Sequence, residues 1–113
     1  MLQGQKKWNV VHGLVKNLGA GQYITNKQVV VALFKKYPEF NRHPNPIMAA
    51  DFCANSPSGY DKKQSNGSYE RSYKPVLFKI AYNQYIRYNP QVHGLWMCKI
   101  INGRKKVLKI LPS

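Results

Sequence analysis

Apolar residues recur three and four positions apart at the start of this chain. Trp8, Val11, Val15 and Leu18 fall on one helical stripe, widened by Leu14, while Lys6, Lys7, Asn9, Lys16 and Asn17 lie mostly off it. The spacing predicts a helix over 5–18, stopped by Gly19-Ala20-Gly21. A second helix is announced by Thr25-Asn26-Lys27-Gln28, a capping box in which the Thr hydroxyl and the Gln side chain satisfy each other's backbone donors. Ile24 and Val29 form a hydrophobic staple across that start. Val29, Val30, Leu33, Phe34 and Tyr37 make the apolar face, Lys35 and Lys36 sit in the last turn, and Pro38 ends the helix. Asn45 as N-cap and Pro46 in the first turn predict a third, shorter helix running to Ala54 and closed by Asn55-Ser56-Pro57. Ile47, Ala50, Phe52 and Ala54 do not share one face of it.

Residues 56–73 contain no aliphatic side chain and read as a long polar loop, of the kind that is either disordered or functional. Beyond it the period changes to two. Pro75–Ile80 and Gln84–Tyr88 read as paired strands about an Ala81-Tyr82-Asn83 turn, and 89–94 as a second turn region. The tail reads as a further hairpin, because Asn102-Gly103 is a type I′ signal between Ile100-Ile101 and Val107-Leu108. The fold class expected is α+β and winged-helix-like: one domain over 1–113, with three N-terminal helices followed by β-hairpin wings.

Charge narrows the range of functions. Eighteen Lys and Arg face four acids, Glu39, Asp51, Asp61 and Glu70, for a net charge of +14 on 113 residues. Hydrophobic residues are 43% of the chain, too many for a disordered basic tail. A folded domain this basic repels itself and is relieved by a polyanion. A Mg²⁺-dependent nuclease centre needs clustered carboxylates, so four acids isolated along the chain argue against one, and no phosphate-binding glycine loop or nucleophile elbow is present. His12, His43 and His93 are scattered, with no pattern that makes two converge on one phosphate. Cys53 and Cys98 sit in apolar surroundings outside any CxxC, so buried thiols are expected rather than zinc ligands. No catalytic centre, cofactor or metal is therefore expected. Without an apolar span or a secretory apolar region, the expected location is intracellular: cytoplasmic, or nucleoid or nuclear.

The stretch Val76–Trp96, VLFKIAYNQYIRYNPQVHGLW, carries Leu77, Phe78, Tyr85, Tyr88, Pro90, His93, Gly94 and Trp96 in a recurring order. It resembles the wing of winged-helix-like domains attached to restriction endonucleases. Trp8, Tyr37-Pro38 and Asn55-Ser56 fit the same layout. The glycine-rich turn of that pattern is replaced here by Ala81-Tyr82-Asn83. The resemblance implies duplex DNA recognition, sequence- or methylation-dependent, in a restriction or mobile-element setting, with any cleavage lying in another domain.

Candidate contacts follow from residue type. Arg42, His43, Asn45 and Met48 stand at or before the third helix, where backbone amides and polar side chains meet phosphates and base edges. Lys62, Lys63, Gln64, Ser65, Asn66, Tyr69, Arg71 and Lys74 place cations, amides and aromatics in and beside the polar segment. Lys79, Tyr82, Asn83 and Arg87 belong to the first hairpin, and Arg104, Lys105 and Lys106 to the tip of the second. Tyr60, Tyr69, Tyr82 and Trp96 are candidates to pack on a base or methyl group. Each set has a plain structural alternative: a capped core helix, a solvated insertion, a half-solvated hairpin, or an edge strand protected by cations. Duplex DNA is the expected partner, RNA or the ribosome the alternative, and a membrane is not expected. Neutralising Lys62, Lys63 and Arg87 is expected to weaken binding more than neutralising Lys6, Lys7 and Lys16.

Overall fold

The computed structural model describes residues 3–42 and 49–111. Helix α1 spans Gln3–Lys16 and buries Val10, Val11 and Val15. Leu18 lies past the helix end, in a turn where its amide bonds Val15 O at 3.0 Å, and still packs on the core. Helix α2 spans Asn26–Lys36 with both halves of the capping box formed at Thr25. The staple closes too, with Ile24 and Val29 both buried. Tyr37 is the C-cap, and a 3₁₀ turn follows over Pro38–Arg42.

The third helix differs from the expectation. Its predicted start, Asn45-Pro46, lies outside the described residues, and Ala49–Phe52 is a 3₁₀ turn. The reason is competition from a strand. Ala54 N, which a helix would bond to Ala50 O, bonds Leu77 O at 2.9 Å, and Phe52 O, free at a helix end, accepts from Val76 N at 3.0 Å, so the segment is given to strand pairing.

Residues 56–73 are not a structureless loop. A 3₁₀ turn at Pro57–Gly59 leads into β1 (Tyr60–Lys63) and its antiparallel partner β2 (Ser68–Arg71). Tyr60 seats the hairpin, with its ring buried and its hydroxyl donating to Ala54 O at 2.6 Å. Next come β3 (Leu77–Ala81) and β4 (Gln84–Arg87), the short helix α3 (Pro90–His93), β5 (Leu95–Ile101) and β6 (Arg104–Leu111). Helix α3 replaces an expected turn because Asn89 caps it, accepting from Gln91 N at 3.0 Å with Pro90 behind it.

Two sheets result. Strands β3 and β4 pair in a hairpin flanked by single bridges, Ile24 to Tyr85 on one edge and Cys53 to Leu77 on the other. Helices α1 and α2 pack against this hairpin around Val11, Val29, Leu33, Phe40, Cys53 and Leu77. The second sheet runs β1-β2-β5-β6, all antiparallel, and lies largely outside that core. The β5–β6 turn has the predicted form, with φ of 53° at Asn102 and 77° at Gly103. Both central residues of a type I′ turn need positive φ, which Asn and Gly adopt at least cost.

Candidate nucleic-acid interface

The β1-β2-β5-β6 sheet joins two segments far apart in the chain, the polar 60–71 stretch and the basic C-terminal hairpin. Its register sorts the cations onto faces. Lys62 pairs with Glu70, Ser68 with Lys99, Lys99 with Lys106, and Ile101 with Arg104. Alternation puts Lys62, Glu70, Ser68, Lys99, Lys106 and Arg104 on one face. All of these except Ser68 are exposed. Lys99 and Lys106 are directly opposed, an arrangement that destabilises a sheet unless an anion sits between them.

The opposite face carries the exposed Lys63 and Lys109 beside cations committed within the fold. Lys105 reaches inward, donating to Tyr60 O at 2.9 Å and lying 4.5 Å from the Tyr69 ring centroid. Arg71 is committed as well. Its guanidinium donates to Tyr73 O at 3.1 Å, Cys53 O at 2.8 Å and Asp51 O at 3.0 Å, and covers the Tyr60 ring. It clamps the second sheet to the body.

The remaining candidates divide in the same way. Gln64, Ser65 and Asn66 form the β1–β2 turn, where Asn66 Oδ1 accepts from Ser68 N at 3.0 Å and Ser68 Oγ at 2.6 Å. Lys63, Lys74 and Lys79 are exposed. Tyr82 is 90% exposed at the tip of the first hairpin. Asn83 has φ of 55°, standing where the resembling pattern has glycine, and a bulge between Lys79 and Ala81 completes that turn. Its side chain faces inward, accepting from Asn26 N at 2.8 Å at the start of α2. Arg87 caps the end of α1, donating to Val15 O at 2.8 Å and Lys16 O at 3.0 Å. That local task is separate from the contact expected of it. The backbone of Arg42 ends a 3₁₀ turn, and His43, Asn45 and Met48 lie outside the described residues. Lys99 was missed by residue type alone. The Asn102-Gly103 turn, counted outward, gives its pairing with Lys106 directly.

The motif residues of 77–96 build an aromatic cluster. Phe78 stacks on His93 with centroids 4.3 Å apart, and Tyr88 and Trp96 pack around it. Tyr88 Oη donates to Gly94 O, and Trp96 Nε1 to His93 O at 3.0 Å. Gly94 has φ of 84°, a conformation that side-chain-bearing residues avoid. Trp96, a candidate for base packing, thus serves this cluster, and Tyr60 is buried beneath Arg71.

His93 Nδ1 accepts from Asn89 N at 2.9 Å, a bond open only to the neutral ring. Burial, then the nearby Lys109 charge, lowers the pKa of His93 below its ordinary value. The folded state therefore binds fewer protons than the unfolded one. This contribution is complete above about pH 6.5 and falls as pH drops through the lowered folded value. Thermal melts between pH 8 and 5 are expected to show a loss on acidification that is visibly smaller in His93→Gln. Identical pH profiles for the two proteins would count against the assignment.

Burial pushes the Cys53 thiol up to about 12 and raises Cys98, so both thiols stay protonated and weakly nucleophilic. Both are free and buried. Among the described residues no group of three or more His, Cys, Asp or Glu is placed to hold a metal, and no helix is long and apolar enough to cross a membrane. No family model, curated protein or solved structure matches the chain.

Proposed function

We propose that the protein is a winged-helix-like module that binds duplex DNA, with the Lys62, Lys99, Arg104 and Lys106 face of the second sheet contacting phosphates. The observation that carries the reading is the exposed, directly opposed pair Lys99 and Lys106, with Lys62 and Arg104 beside it and Glu70 the one acid sharing that face. Among the other acids, Glu39 is paired with Lys6 at 3.0 Å, and Asp61, beside Lys62 in β1, accepts from Ser72 Oγ at 2.8 Å and keeps its charge. Duplex DNA is favoured by the order of elements. A helix, a bridging residue Ile24, a second helix, and then a hairpin whose second strand pairs with that residue is an order loosely compatible with a winged helix, with the 3₁₀ turn Ala49–Phe52 standing where its third helix would lie. The chain's role in this reading is to bind and position, not to cut.

Fluorescence anisotropy on methylated and unmethylated DNA duplexes and on RNA, titrated with salt, tests it. Four phosphate contacts correspond to a log–log salt slope of about −3.6, and so to roughly a hundredfold weakening between 50 and 200 mM salt. A flat response rejects phosphate binding. Tighter binding to RNA than to any duplex moves the reading to an RNA-binding protein.

A further inference from the structure

A cleft of about 870 Å³ lies among α1, the Lys74–Val76 connection, β2 and β5. Its volume falls within the range of small-ligand sites. Trp8 and His12 line it, stacked on each other with centroids 4.6 Å apart and planes 11° from parallel. Trp8 is held in place by its Nε1, which donates to Lys74 O at 2.9 Å. Tyr88 and Trp96 add aromatic surface, and the exposed Lys16 and Lys74 line the same cleft. One carboxylate, Glu70, joins these rings and lysines in a lining that is otherwise largely apolar, with Val15, Val76, Leu95 and Met97, and β2 carries it on the face that bears Lys62 and Lys99. The cleft is thus continuous with the phosphate-contacting face.

Aromatic rings stack on the flat face of any base, and lysines donate to its phosphate. A carboxylate discriminates, because it only accepts hydrogen bonds. Guanine offers two parallel donors, N1–H and N2–H, to such a group. Thymine and uracil offer one donor flanked by two carbonyls that repel it. We propose that the cleft binds an unpaired guanine, stacked on the Trp8–His12 pair, with its donor edge on Glu70 and its phosphate on Lys16 and Lys74. This rests on the nucleic-acid reading and adds to it a site for a base outside the duplex stack.

The test is NMR titration with deoxyguanosine and thymidine monophosphates, with duplex anisotropy on the same samples. The guanine nucleotide is expected to shift the Trp8 and Trp96 indole N–H resonances and to saturate at about tenfold lower concentration than the thymine one, the low end for a paired hydrogen-bond contact. Glu70→Gln is expected to remove that preference while raising duplex affinity, since it deletes a negative charge from the cationic face. His12→Ala is expected to weaken both nucleotides. Silent indole resonances alongside duplex binding reject the cleft and leave the duplex reading standing. Saturation by the guanine nucleotide without duplex binding does the reverse. Equal affinity for the two nucleotides, or a preference untouched in Glu70→Gln, overturns the role of the carboxylate.

Discussion

Replacing Lys62, Lys99, Arg104 and Lys106 together by glutamine is expected to lower duplex affinity by at least about a hundredfold at low salt and to flatten the salt slope by about 3 to 4. The four side chains share one exposed sheet face, so under the proposed function they would meet one stretch of backbone together. Their removal also relieves the Lys99–Lys106 repulsion, so the variant should melt no lower than the parent. Loss of binding with retained stability is therefore the expected signature. Neutralising Lys6 and Lys7 is expected to change affinity far less. Lys6 is paired with Glu39, and the Lys7 ammonium lies 5.5 Å from the Phe40 ring centroid, so both are occupied within the helical body. Equal losses from the two sets would reject the face and leave only diffuse charge attraction.

The second large effect concerns stability. Arg71→Met is expected to cost about 3 kcal/mol, because three carbonyls lose a charged donor and the Tyr60 ring loses its cation. In a domain of this size the melting temperature should then fall by more than about 10 °C. Arg71→Lys is not expected to restore it, since a single ammonium cannot span three carbonyls held by a planar fork. These melts are run without nucleic acid, so they separate the clamp from any DNA contact. An Arg71→Met protein that melts like the parent would return Arg71 to the pool of free cations.

The helical half was legible because its signals are local. A capping box at Thr25 acts within one turn and forms as read. The apolar stripe of α1 needs only helical spacing, and the Asn102-Gly103 hairpin needs only positive φ. The 60–71 hairpin was hidden because its strands have solvated faces and few apolar residues, so their composition is that of a loop. Its order comes from β5, a partner well over twenty residues away in the chain. The turn at Ala49–Phe52 was misread for a related reason. Helix signals at its start met a strand-pairing demand from Val76 and Leu77 that no local pattern reveals.

Charge shows the same division. Composition determined that this chain carries a large uncompensated positive charge, since eighteen cations against four acids cannot be neutralised internally whatever the fold. Only the tertiary structure decided which cations are exposed and which are held by the fold. Arg71 and Arg87 read alike by residue type, but the Arg71 guanidinium is committed to the backbone carbonyls of Asp51, Cys53 and Tyr73, while the exposed Arg87 also caps α1 through Val15 and Lys16. Lys99, which residue type did not single out, stands opposite Lys106 on the exposed face. The physical reason is that a charge's surroundings depend on register and on distant carbonyls. Periodicity and capping act over a few residues and are written in the chain, whereas hydrogen-bond partners are set only when the two sheets have formed.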